Sequence, residues 1–244
     1  ILRCFSPTLV MDIARKIDEV DFFTFIEDEE GEWLLGVRTS LEAALLLRSE
    51  LSNIDKQVEI IKQLILKVNQ NMYSYARHSD MSFLISLLKA IGPNGRDSRF
   101  YEGYFLEIAK TLKRLRVEKH IRDSRVVLQE AMFIREYAKK NIENSLELII
   151  GASEILKEAI EEYRARKNRN NYHLGHMYCE LGANFGAQII KLIQFEEVDW
   201  ERVKCIYEEQ LSILHDAQEL SPESFYPLDI CAWTACKILN KNVS

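Results

Sequence analysis

An all-α chain of antiparallel helical hairpins stacked into a superhelix, with a small α/β element at its start, is the fold class this sequence predicts. Three observations carry that prediction. Only nine glycines and four prolines interrupt 244 residues, and Leu, Ile, Glu, Lys and Ala dominate, a composition that favours long helices over sheets. From Asn53 onward, apolar residues recur at steps of three and four, the spacing of one helical face. The breaks between these stripes are short, which forces consecutive helices to lie antiparallel. The pattern changes near residue 52, so the chain divides into a module at 1–52 and a repeat domain at 53–244, long enough to bury a sizeable core.

Taken in order, Ser6-Pro7 reads as an N-cap followed by proline at the first helical position. It opens a short helix to about Ile17 in which Leu9, Val10, Ile13 and Ile17 share a face. Phe22 to Ile26 and Trp33 to Val37 are short apolar runs around the acidic turn Glu27-Asp28-Glu29-Glu30-Gly31-Glu32, the signature of a β-hairpin or wing. Ser40 then caps a helix over LEAALLLRSEL, so residues 1–52 read helix, hairpin, helix, a winged-helix-like module or its remnant. Ile54, Val58, Ile61, Leu64, Ile65, Val68 and Met72 form the first long stripe. Further stripes occupy 80–91, 98–117, 124–139, 143–166, 171–193, 199–218 and 223–240, the first of them closed by the turn Gly92-Pro93-Asn94-Gly95.

Within NYHLGHMYCELGANFGAQII, the spacing Leu174-Gly175-x-x-Tyr178-x-x-x-Gly182-x-x-x-x-Ala187 resembles a tetratricopeptide (TPR) repeat. The resemblance implies that Gly175 lets a neighbouring backbone approach, Tyr178 fills the adjacent groove, Gly182 opens the turn between two helices, and Ala187 sits at their crossing. Ala159-x-x-x-Tyr163 echoes the second helix of a preceding unit, at an offset that makes the array TPR-like rather than regular. Stacked pairs of this kind form a superhelix with a concave face.

A second resemblance rests on EGEWLLGVRTSLEAALLL followed by helical repeats that include VVLQEAMFIREYAKK. Together they look like the winged-helix to repeat junction of bacterial STAND NTPases, signal-transduction ATPases that include antiphage sensors. Arg38 and Leu41-Glu42-Ala43 lie where that family has an arginine and a glutamate entering a helix. The nucleotide-binding loop of the family is absent from this sequence. The resemblance therefore implies a sensor region whose repeats bind a trigger protein, of phage origin in the defence systems, while the ATPase lies elsewhere in the parent protein. Oligomerisation would then come through that parent. The start at Ile1, without an initiator methionine or a leader-like segment, fits an excised piece of a longer chain.

Charge and cysteine usage narrow the partners. A net charge of −6 repels nucleic acid and anionic membrane surfaces, and the longest apolar runs, such as Ala43 to Leu47, are far short of a membrane span. Cys4, Cys179, Cys205, Cys231 and Cys236 form no C-x-x-C pair and are odd in number, which fits reduced thiols in a cytoplasmic protein. No Gly-rich phosphate loop, nucleophile elbow or H-E-x-x-H is present. No cofactor is expected. His173, His176, Cys179 and Glu180 could line one side of a helix as metal ligands, the reading of a helical metalloenzyme, but they coincide with the repeat helix and packing explains them more simply. His78, His120 and His215 stand alone. Glu161-Glu162 and Glu208-Glu209 are sequence neighbours on solvated faces.

Two basic clusters carry the recognition hypothesis. Lys110, Lys113, Arg114, Arg116, Lys119, Arg122 and Arg125 crowd one helix end, and Arg164, Arg166, Lys167 and Arg169 another. Cations near helix C-termini are favoured by ~0.3–1 kcal/mol each, which explains part of the pattern. Lined along a concave face, the remainder would grip carboxylates of an acidic protein or peptide through forked arginine hydrogen bonds. Tyr104 and Tyr137 are the aromatic candidates beside them, with Tyr101, Phe105 and Phe133 read as core. Trp200 and Trp233 are read as core too. The expected function is a cytoplasmic protein-recognition region. A regulator binding a short peptide is the nearest alternative.

Overall fold

The computed structural model of the chain describes residues 23–27, 33–37, 52–68, 80–121, 123–140, 144–166 and 170–243. They fall into two compact units, 1–84 and 85–244. In the first unit β1 (Phe23–Glu27) pairs antiparallel with β2 (Trp33–Val37), Phe23 opposite Val37 and Glu27 opposite Trp33. The helices expected at 6–17 and 40–52 lie outside the described residues, and the winged-helix assignment lies there with them. So do Arg38 and Leu41-Glu42-Ala43. α1 (Ile54–Lys67) starts where Asn53 caps it, its side-chain oxygen accepting from Asp55 N at 2.8 Å, and it buries Val58, Ile61, Leu64 and Ile65.

α2 (Asp80–Ile91) begins in the first unit and ends in the second. The Gly92–Gly95 turn wraps back on its end: Gly92 N donates to Leu88 O at 2.8 Å and Asp97 N to Ala90 O at 3.1 Å. A Cβ on Gly95 would lie 2.1 Å from Ala90 O, so only glycine lets the chain pass this close. The stripe at 98–117 is not one helix. A single turn, Ser98–Tyr101, passes into a 3-10 segment, Glu102–Tyr104, before α3 (Phe105–Glu118), and the break centres on Gly103, the poorest helix former after proline.

Five further helices follow the predicted stripes closely: α4 (Ser124–Lys140), α5 (Ser145–Arg164), α6 (Asn171–Leu192), α7 (Trp200–Leu220) and α8 (Tyr226–Val243). Each of α3 to α7 packs on its successor, and α8 packs on α6 as well as α7. α6 is the hub, touching α4, α5, α7 and α8, and Leu156, Met177, Leu181 and Leu214 are buried in the core around it. No helix among the described residues is long and apolar enough to cross a membrane.

The TPR-like stretch requires a correction. Leu174–Ala187 lies inside α6, a single helix of 22 residues, so no turn opens at Gly182. A Cβ on Gly182 would instead meet Leu214 Cδ2 of α7 at 2.4 Å, and one on Gly175 would meet Ser221 Oγ at 2.8 Å. The small residues thin one face of α6 along the path of α7, which is a helix-crossing device rather than a helix-turn-helix device.

Candidate recognition sites

Three arginines of the first basic cluster, Arg114, Arg116 and Arg125, are held by the chain's own carboxylates. On α3, Lys110, Lys113 and Arg114 are exposed, and Arg114 Nε donates to Glu118 Oε1 at 3.1 Å, one turn away. Arg116 turns inward: Nε and Nη2 donate to the two oxygens of Glu130 at 3.0 and 3.2 Å. Glu130 is fully buried, so this fork neutralises a charge that the core could not otherwise hold. The hydrogen bond that Arg116 donates to Glu130 is the main reason that its pKa rises further, against the opposing effect of burial. Arg125 is paired with Asp123 at 2.7 Å.

Arg116 and Arg166 do meet, in a cleft of about 310 Å³ that also holds Glu158, Glu162 and His120. The Arg166 guanidinium lies 5.2 Å from the centre of the Tyr163 ring. Two arginines facing two glutamates make a mixed cleft rather than a basic one. Arg164 is exposed on the last turn of α5. Tyr104 and Tyr137 are half-buried, while Phe105 and Phe133 stack edge to face at 5.0 Å in the core. Arg122, Lys167 and Arg169 lie outside the described residues, as does His78.

The four metal-competent side chains of α6 do not converge. At 100° per residue, Cys179 stands about 120° around the helix from His173. His173 Nε2 pairs with Ser124 Oγ at 2.6 Å, and His176 is exposed with its ring against Tyr172 at 4.5 Å. Cys179 is buried, and burial with Glu180 nearby pushes its thiol up to about 12, so it stays protonated at neutral pH. Glu180 accepts from Arg135 Nη1 at 2.7 Å. Among the described residues no group of three or more His, Cys, Asp or Glu is placed to hold a metal ion.

That last contact opens a polar network inside the core. Arg135, 4% exposed, donates through Nη1 to Glu180 Oε2 and to Asn184 Oδ1 at 3.1 Å, and through Nε to Glu136 at 3.3 Å. Burial alone would lower the Arg135 pKa, but Glu180 and Glu136 outweigh it and hold the guanidinium charged. Two other buried bonds tie α6 to its neighbours. Gln188 Nε2 donates to Ser153 Oγ of α5 at 2.8 Å, and Gln210 Nε2 of α7 donates to Gly182 O at 2.9 Å and to Thr234 Oγ1 of α8 at 3.0 Å. A sequence signal for these existed. Arg135 interrupts the stripe Leu128, Ala131, Ala138, and Asn184 and Gln188 continue the stripe Met177, Leu181.

Beside this network lies a cavity of about 600 Å³, bounded by the end of α2 and its turn, by α4, by the first turns of α6 and by Tyr226. Its walls mix apolar and polar groups, including Leu128, Met132, Lys89, Gln129, His176 and Glu180.

A different kind of surface lies on α8. Pro227, Ile230 and Thr234 face inward and are buried. Yet Leu228, Ala232, Ala235 and Leu239, spaced at three and four residues, make the outer face apolar too, with Cys236 beside them. Leu228 is 55% and Leu239 62% exposed, and Phe225 just before the helix is 76% exposed. No protein-family model, curated protein or solved structure matches the chain.

Proposed function

We propose that this chain is a protein-recognition region in which stacked helical hairpins hold α8 so that its outer face receives a partner. One observation carries the reading: an unbroken apolar row, Leu228 to Leu239, on a helix whose inner face already serves the core. A helix that is apolar on both sides is built to be covered on both, and contiguous exposed apolar surface marks an interaction site. The matching partner is an amphipathic helix with basic flanks. Neighbouring α7 exposes Glu201, Glu208 and Glu219, against Arg202 and Lys204, while its Glu209 already accepts from Lys157 at 2.7 Å. The acidic partner that the basic clusters suggest has less to grip, because Arg114 and Arg116 already serve Glu118 and Glu130.

The parent we propose is a cytoplasmic signalling ATPase of the STAND type, a reading supported by the sequence around Arg38 and Leu41-Glu42-Ala43. In such a protein a trigger, of phage origin in a defence system, acts by population shift: it binds one interdomain arrangement better than another and so biases the attached output domain.

The test is capture from infected and uninfected bacterial lysates with three baits: the unmodified chain, Leu228→Glu/Leu239→Glu, and Lys110→Glu/Lys113→Glu. Each buried leucine contributes about 1.5–3 kcal/mol, so the α8 pair should weaken capture by at least about a hundredfold. The expected result is one protein retained by the unmodified chain and the α3 variant and lost by the α8 variant, with helicity and melting midpoint unchanged. Retention by the α8 variant, or no specific protein from either lysate, overturns the reading.

A further inference from the structure

The 600 Å³ cavity is separate from the outer face of α8, and its size lies in the range that holds small ligands. We propose that it binds a carboxylate flanked by an amide and an apolar side chain, the chemistry of an N-acylated amino acid or of the last residue of a peptide. Its polar groups are placed for that set. Gln129 is 8% exposed, and among the described residues its side chain makes one hydrogen bond, from Nε2 to the thioether of Met132 at 3.8 Å. The Gln129 amide lines the cavity with its oxygen taking no hydrogen bond from the described residues, and a ligand amide offers a donor and an acceptor together to pair with it.

Gly92 leaves the cavity side of Gln129 open. A Cβ there would stand 3.7 Å from Gln129 Oε1, and the backbone carbonyl of Leu88, only 2.5 Å from the same point, keeps side chains out. Glu180, 8% exposed, accepts from Arg135 through Oε2 alone. Its second oxygen takes no hydrogen bond from the described residues and is available to a ligand N–H. Arg135, whose Nη1 also donates to Asn184 Oδ1, holds the carboxylate in place, so little ordering is left for the ligand to impose. At the rim, Lys89 is exposed and has no ion-pair partner among the described residues, which suits the ligand's carboxylate. Ile85, Leu128 and Met132 supply an apolar wall, with Tyr226 beside them, for the side chain.

Isothermal titration of the full chain tests this with N-acetylphenylalanine, its uncharged carboxamide, and the acetylated tripeptide Ala-Ala-Phe. The acid should bind at least about tenfold more tightly than the carboxamide, the worth of one charge-assisted hydrogen bond. Lys89→Ala should lower the acid to the level of the carboxamide and leave the carboxamide unchanged. Gln129→Met should weaken both by about fivefold to tenfold, with the melting midpoint retained. Tighter binding of the tripeptide identifies a peptide end as the source, and weaker binding identifies a free acylated amino acid. Either upholds the proposal. Equal affinity for acid and carboxamide, binding indifferent to both substitutions, or no heat up to about 10 mM overturns it. Leu228→Glu/Leu239→Glu should bind the acid as the unmodified chain does, so failure here is distinct from failure of the docking face.

Discussion

Arg135 shows how one residue can order a whole interface. Its guanidinium is enclosed by Glu180 and Asn184 of α6 and by Glu136 of its own helix. Desolvating both charges is expensive, and the attraction between them offsets that cost only while both remain. Arg135→Met should therefore destabilise the chain by about 3–5 kcal/mol, whereas Arg135→Met/Glu180→Met should recover much of the loss, because no orphaned charge stays behind. Chemical denaturation of the two variants checks this. A double variant less stable than the single one would show that the network adds net stability. The sequence offered Glu180 only as a neighbour of His173, His176 and Cys179, and nothing local pairs it with Arg135, 45 residues away.

At the level of the element, α6 is built against propensity. Gly175, Gly182 and Gly186 would weaken an isolated helix by about 1 kcal/mol each relative to alanine, yet the helix runs unbroken for 22 residues. Packing on four neighbours supplies what propensity lacks. This is why a spacing that resembles a TPR turn became helix interior. Gly182→Ala should test the balance. The gained propensity is about 1 kcal/mol, but the new Cβ would stand 2.4 Å from Leu214 Cδ2 and 2.7 Å from its Cγ, and such overpacking costs about 1–3 kcal/mol. A net loss is expected, relieved by Leu214→Ala in the same chain. Gly151 of α5 is the contrast: a Cβ there meets nothing within 4 Å, so Gly151→Ala should stabilise by about 0.5–1 kcal/mol. Thermal denaturation of the three variants decides the signs.

Over the whole molecule, the described titrating groups make the folded state sensitive to acid. Burial lowers the His173 pKa, with Asp123 partly opposing, so the folded chain takes up that proton less readily than the unfolded chain. For Glu136, burial opposes ionisation, but Lys139 and Arg135 outweigh it and hold its carboxyl below the ordinary value of 4.5. Both groups bind fewer protons folded than unfolded, and stability must therefore rise with pH across their range. The melting midpoint should be highest above the ordinary imidazole value of 6.5, fall as the pH drops below it, and fall again as Glu136 protonates. His173→Gln should flatten the upper step and leave the lower one. A midpoint that rises between pH 7 and about 5 would contradict this assignment.

The sequence by itself determined where the long helices of residues 53–244 lie, because a 3.6-residue stripe, its caps and its breakers are read within a few turns of chain. Arg135, Asn184 and Gln188 sit on apolar stripes of the sequence, a local trace of polar atoms on buried faces that the stripe pattern alone left unread. Only the tertiary structure decided what those atoms meet, that Gly182 faces Leu214 instead of opening a turn, that Arg116 serves Glu130, and that α8 keeps an apolar face uncovered by the described residues. Each of those outcomes depends on a neighbour that packing brings up from another helix, and a local pattern specifies a face without specifying what is pressed against it.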